Sequence, residues 1–316
     1  MRFLLPLISG ALLLPASFAS AASHRAADNA GQTCTTQVVV NAFDAATKAD
    51  LYGLRADDFE ASASGRDYSV LRATPVLHNR VLVLADARSA KSLGQARAIA
   101  DLIREQAPAE MPVAFGVIMG QAVFTRRFYS DYDLFGAAIA SVFSRSHVSP
   151  DSRRAPLEAA LRQALLLFGQ PRSGDTILLV TPGSHDQDIN VRKLAREFNQ
   201  HQIRLQLLIP SESISSSGPL AVFSSWDAAD QFSSRLLELA ARTGGALMGF
   251  MNSDWVGAAS SGYTLSIDLP QNGGKGRLLK LDLREKEGNA DLFYPEQVAG
   301  CAPSYSASAA KATPIP

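Results

Sequence analysis

The sequence predicts an α/β protein, a doubly wound and mostly parallel sheet carried between β-rich flanks. Three observations predict it. Between residues 80 and 245, short apolar runs alternate with amphipathic stretches, the rhythm of strand–helix–strand units. Outside that span apolar and polar residues alternate, as half-buried strands require. The chain has 316 residues, 47% hydrophobic and 19% charged, which suffices for a full core without metal or disulfide staples.

The elements follow in chain order. Arg2, the apolar stretch Phe3 to Leu14, Pro15 and the small residues Ala19-Ser20-Ala21 make a secretory signal, so residues 1–21 are expected to be cleaved and the protein exported. Residues 34–75 form an N-terminal β-rich segment, with strand-like pieces at Thr36 to Phe43 and Tyr68 to Leu71. The α/β part spans 76–255. Its strands are Val81 to Asp86, Val113 to Met119, Asp175 to Thr181 and Ile203 to Ile209, runs apolar enough to be covered on both faces. Ala122 to Phe128 suggests one more strand, antiparallel to its neighbour. Helical spacing covers 91–107, 132–144, 157–169, 189–202 and the stretch from Phe232 to Thr243, which Gly244-Gly245 ends. Residues 211–221 are Ser-rich and read as a loop. In 256–301, Tyr263 to Leu269 and Leu278 to Arg284 alternate around Gln271-Asn272-Gly273-Gly274, which predicts a β-hairpin. The tail 302–316 is Ala/Ser/Pro-rich and reads as disordered.

Charge and cysteines narrow the function. Thirty Lys and Arg against thirty Asp and Glu give a net charge of zero, which removes the simple electrostatic case for nucleic acid. No segment after the signal has 18 uninterrupted apolar residues, so no transmembrane span is expected. Export makes Cys34 and Cys301, at opposite ends of the folded part, a candidate disulfide, with two separate buried thiols as the alternative. On the chain-entropy account a loop this long stabilises by about 5 kcal/mol.

The order of these pieces carries a resemblance. Val38-Val39-Val40, Gly53 to Phe59, Val81 to Asp86, Thr176 to Thr181, Leu239 to Gly245 and Tyr263 to Leu269 together resemble the bacterial von Willebrand factor A-related exported proteins typical of Acidobacteria. The resemblance implies a von Willebrand A, Rossmann-like core that binds protein or other macromolecular partners. It also implies a divalent cation held at the carboxyl ends of the strands by D-x-S-x-S, a Thr and a second Asp. Here the first motif reads Asp86-Ala87-Arg88-Ser89-Ala90, so Arg88 fills one Ser position and Ala90 the other. Ser152-Arg153-Arg154-Ala155-Pro156 offers no Thr, and Thr181-Pro182-Gly183 stands where the second Asp belongs. Arg88 would place a permanent cation beside Asp86. No metal and no cofactor are therefore expected, with Ser89, Asp186 or Asp188 as the remaining route to a rearranged cation site. The plainest role for Asp86 is to cap the helix that follows.

Catalytic patterns are weak. Gly183-Ser184-His185-Asp186 holds the letters of a hydrolase triad, but neighbours in sequence cannot align as nucleophile, base and orienter, and the G-x-S-x-G elbow is missing. The five His residues include no i, i+4 pair for zinc. Asp57-Asp58, Asp131/Asp133, Arg126-Arg127 and Arg153-Arg154 read as solvated surface charges, and Trp226 and Trp255 as core residues. The expected function is a non-enzymatic exported interaction or scaffold protein. Its binding-loop candidates are Asp86, Arg88, Ser89, Arg154, Thr181, Ser184 and Asp186, acting without metal. The alternatives are a hydrolase-like enzyme using Asp86, His185 and Asp186, or a divalent-cation-dependent adhesion domain.

Overall fold

A computed structural model describes residues 33–47, 49–76, 79–88, 90–107, 110–146, 157–181, 189–208, 234–248, 255–270, 276–284, 289–295 and 297–298. The first four strands are β1 (Thr33–Asp44), β2 (Phe59–Ala63), β3 (Arg66–Tyr68) and β4 (Val70–Pro75). Next come β5 (Val81–Asp86), α1 (Ala90–Gln106), β6 (Val113–Ile118), β7 (Ala122–Phe124), α2 (Tyr132–Arg145) and α3 (Leu157–Phe168). They are followed by β8 (Thr176–Val180), α4 (Val191–Gln200), β9 (Arg204–Leu208), α5 (Ser234–Arg242), β10 (Leu247–Met248) and α6 (Trp255–Ser260). Four strands close the described chain: β11 (Tyr263–Pro270), β12 (Arg277–Leu283), β13 (Ala290–Phe293) and β14 (Gln297–Val298).

The central sheet has the order β10-β9-β8-β5-β6-β7 and is parallel except for β7, which runs antiparallel to β6 as its sequence suggested. Every residue of β5, β6, β8 and β9 is buried, which is why β5, β6 and β8 read as almost unbroken apolar runs, whereas β9 buries Arg204 and Gln206 among its leucines. One face is covered by α1, α2 and α6 through Ile99, Ile103, Phe135, Val142 and Ala259. The other is covered by α3, α4 and α5 through Leu161, Leu165, Leu194, Phe198, Leu236 and Leu239. This is the doubly wound α/β fold, a mostly parallel sheet covered by helices on both faces. Asp131 caps α2 by accepting from the Asp133 and Leu134 N–H groups, a local use for one of the carboxylates read as solvated. Helix α6 packs on β5 and β8 and contributes Ala259 to the core of the α/β unit.

The two flanks form a single β-sandwich. One sheet has the order β13-β1-β11-β4 and the other β14-β12-β2-β3. Val38, Val40, Leu265 and Ile267 of the first face Phe59, Ala61, Leu279 and Leu281 of the second in one apolar cluster. The hairpin expected between β11 and β12 does not form. Strand β11 pairs with β1 and β4, while β12 pairs with β2 and β14. Both strands bury alternate residues in the same core, so they meet face to face across the sandwich instead of edge to edge. The stretch read as one strand at Tyr68 to Leu71 is split at Ser69, where the chain passes from one sheet to the other. The segment Gly53 to Phe59 makes a short 3-10 turn at Ala56–Asp58 before β2. It is pinned by the Tyr263 hydroxyl, which accepts from the Leu54 N–H at 3.1 Å and donates to the Leu51 carbonyl at 2.9 Å.

A buried arginine joins sandwich to α/β unit. Arg204, first residue of β9, is 2% exposed. Its guanidinium donates to the Asn41 side chain on β1, to the Ser261 carbonyl at 3.1 Å and to Thr176 Oγ1 at 3.2 Å. Burial pulls its pKa down to about 10, with Asp175 and Asp50 opposing that shift. Nearby, Arg80 holds Asp175 in a two-pronged ion pair and lies between the rings of Phe128 and Phe168, 5.4 Å from each centroid. A second contact between the units is made at Gly244, where an added Cβ would lie 2.5 Å from Pro295.

The expected signal segment 1–21, the Ser-rich loop 211–221, Trp226, Cys301 and the tail 302–316 lie outside the described residues. Cys34 sits on β1 opposite Leu269.

Candidate functional site

The order of the central sheet reverses direction between β5 and β8. From β5 the chain goes out through α1 to β6 on one side, and from β8 it goes through α4 to β9 on the other. Crevices at the carboxyl ends of such strand pairs are where open α/β sheets bind ligands. Asp86 is the last residue of β5 and Thr181 directly follows β8, so the two face each other at that reversal point. The Thr181 N–H donates to the Leu208 carbonyl at 3.0 Å and the Ala87 N–H to the Ile118 carbonyl at 2.9 Å, which ties both positions to neighbouring strands.

The Asp86 carboxylate is fully engaged. Arg88 Nε donates to Oδ1 at 2.8 Å and Arg88 Nη2 to Oδ2 at 2.6 Å, a bidentate pair. Thr181 Oγ1 donates to Oδ2 at 2.8 Å, and the Arg88 N–H reaches Oδ1 at 3.3 Å. Asp86 is 5% exposed and the Arg88 side chain 12%, so the pair is nearly dry. The local cause is simple: residues two apart share a side where the chain leaves a strand extended. The reading of Asp86 as a helix cap gives way to this arrangement. Helix α1 begins only at Ala90, and the Asp86 carboxylate turns to the neighbouring strand and to Arg88.

The described residues brought together here do not by themselves fit a divalent cation. A hard ion needs about six oxygens, whereas Asp86 and Thr181 are the oxygen-bearing side chains that meet among the described residues, and a guanidinium already lies against the carboxylate. Among the described residues no group of three or more His, Cys, Asp or Glu could hold a metal. The arrangement also leaves Asp86 poorly suited to general-base work, since both oxygens accept from fixed donors. Of the binding-loop candidates, Asp86, Arg88 and Thr181 come together. Ser89, Arg154, Ser184 and Asp186 lie outside the described residues, as do His185 and Asp188.

One feature of this end of the molecule escaped the sequence reading. Helix α4 starts just beyond the segment that leaves β8, and between its first turn and α5 lies an open groove of about 600 Å³. Ile189, Asn190, Val191, Arg192, Arg235 and Glu238 line it. Arg192, Lys193 and Arg196 are all exposed on α4, and Arg235 is exposed on α5. The signal available was three cations within five residues of one helix. Which of them lack a carboxylate partner depends on contacts between helices.

Among the described residues no helix is long and apolar enough to cross a membrane. No family model matches the sequence, and no curated protein matches it either. Among solved structures the chain is similar to an aerotolerance-related membrane protein from Bacteroides fragilis, at 18% identity over 58% of this chain and 96% of that one, with a TM-score of 0.37. It is similar to BatB from Bacteroides thetaiotaomicron at 17% identity, over 57% of this chain and 95% of that one, with a TM-score of 0.37. It is also similar to proximal thread matrix protein 1 from the mussel byssus, a structure described with a zinc-occupied MIDAS motif. That likeness is at 14% identity over 62% of this chain and 50% of that one, with a TM-score of 0.41.

Proposed function

We propose that this protein is an exported, non-enzymatic interaction or scaffold protein that holds a macromolecular partner on the loops at the carboxyl ends of its parallel strands, without a divalent cation. The supporting observation is the Asp86–Arg88–Thr181 cluster at the reversal point of the sheet. An internal guanidinium there supplies the positive charge that a bound ion would bring, so the surface is formed before any partner arrives. The expected Cys34–Cys301 bridge belongs to the same reading, since it would tie the end of the chain to the first strand of the sandwich.

Site-specific photo-crosslinking tests it. A benzophenone side chain at Gln121, exposed on the turn after β6, should capture the partner equally in Mg²⁺ and in EDTA. The same group at Leu278, exposed on β12, should not. Adducts that vanish in EDTA would point to cation-dependent adhesion. Adducts from Leu278 alone would move the binding surface to the sandwich.

A further inference from the structure

Helices α3, α4 and α5 cover one face of the sheet and carry six cations: Arg162, Arg192, Lys193, Arg196, Arg235 and Arg242. They carry three carboxylates, Glu158, Glu197 and Glu238. All three are already used. Arg162 pairs with Glu158 at 2.6 Å and with Glu197 at 2.8 Å, and Arg242 pairs with Glu238 at 2.7 Å. Glu158 also accepts from the Asn190 N–H at 2.8 Å. Arg192, Lys193, Arg196 and Arg235 therefore have no carboxylate partner among the described residues, and within these three helices cations outnumber carboxylates by three in a chain whose net charge is zero.

Those charges border the groove described above. Arg192 and Arg235 line it from opposite helices, and Arg196 lies one turn along α4 from Arg192. The lining also includes Glu238, but its carboxylate is held by Arg242. Parallel α/β geometry puts the start of α4 at the same end of the molecule as Asp86 and Thr181. We infer that the α4–α5 groove docks an acidic peptide segment of the protein partner, with Arg192, Lys193, Arg196 and Arg235 reading its carboxylates. The inference rests on the crest reading above and adds the charge of the partner to it. Charge complementarity selects this occupant. Among the described residues the groove lining has no aromatic ring on which bases could stack, and it is a trough between two helices instead of the flat apolar face that inserts into a bilayer.

The test uses the full mature protein and a fluorescein-labelled twelve-residue peptide, (Glu-Gly-Ser)4, followed by anisotropy. Binding should weaken at least tenfold in R192E/R235E and at least tenfold between 50 and 300 mM NaCl, because contacts at an exposed rim are screened. It should be unchanged in R66E/R72E, which reverses two exposed charges on the sandwich. The matching Lys peptide should not bind. Three results would overturn the inference: no binding of the Glu peptide, equal loss in both double variants, or retention in R192E/R235E. Oligo-dT or phosphatidylglycerol vesicles that bind through Arg192 and Arg235 where the Glu peptide does not would also overturn it, in favour of nucleic acid or membrane. The crosslink at Gln121 separates the two readings. If it survives while peptide binding fails, the crest stands and the acidic partner falls; the reverse result removes the crest and leaves the groove.

Discussion

Replacing Arg88 by Met should be among the most damaging single changes in the α/β unit. The substitution keeps most of the stem but removes the guanidinium, leaving the Asp86 carboxylate at 5% exposure with Thr181 Oγ1 and the Arg88 N–H position as donors. Breaking a buried ion pair from one side costs about 3–5 kcal/mol, because the other charge stays behind without its partner. The 12% exposure of Arg88 lets some water reach the pair, so the lower end of that range, about 3 kcal/mol, is expected. In thermal terms that is a fall of roughly 6–12 °C for a unit of this size. The second variant, D86L/R88M, removes both charges and should recover most of the loss, since an apolar replacement of a buried pair is close to neutral. Urea unfolding of wild type, R88M, D86L and the double variant gives the coupling energy directly. A cost below about 1 kcal/mol for R88M would mean that the pair behaves as a solvated surface contact. The idea that a fixed cation organises the crest would then be refuted. A companion variant, R88S/A90S, restores the two hydroxyl positions of D-x-S-x-S. It should gain a melting shift in Mn²⁺ that wild type lacks, and a shift in wild type itself would restore the cation-dependent alternative.

Three further outcomes follow from other parts of the molecule. Gly245→Ala should destabilise by about 3 kcal/mol or more, because a Cβ there would lie 1.9 Å from the Leu205 carbonyl oxygen and a backbone atom cannot step aside; urea unfolding within 1 kcal/mol of wild type would contradict it. Asp175 gives a pH signature of unusual sign. Burial pushes its carboxyl up, with the Arg80 guanidinium pulling the other way. A raised folded-state value means a contribution present below the ordinary Asp range and lost as pH rises through the folded value. The stability of D175N relative to wild type should therefore improve as pH climbs from 3 through that value. The opposite slope would mean that Arg80 outweighs burial. Peptide mapping of the mature protein without reductant should find Cys34 joined to Cys301, and alkylation of both thiols in unreduced protein would exclude the bridge.

What could be read from the residues, and what could not, follows from which interactions are local. Strands β5, β6 and β8 were legible because burial on both faces leaves an almost unbroken apolar run, and β9 through the leucines around its buried Arg204 and Gln206. The antiparallel β7 was legible because little chain separates it from β6. The pairing of β11 was not. A period of two reports which face of a strand is buried and is silent about which strand lies beside it. Asp86 and Arg88 could be paired on paper because two residues along an extended chain share a side. Thr181, 95 residues later, looked like a lost metal ligand when taken alone. In place it is the second donor to Asp86.

The same distinction bears on Arg204, which had no signal at all: an arginine opening a strand reads as a surface charge until β1 and the β11 linker close over it. Burying a guanidinium without a carboxylate in contact is costly, and the site offsets that cost with neutral acceptors drawn from three segments, Asn41, Ser261 and Thr176. Two of these belong to the sandwich and its linker and the third to the α/β unit, so any hinge between the units would strand the charge. The junction lies at the amino ends of the parallel strands, opposite the crest. The α/β unit is thus tied to the sandwich at the amino ends of its strands, while the Asp86 cluster and the α4–α5 groove lie at the opposite end.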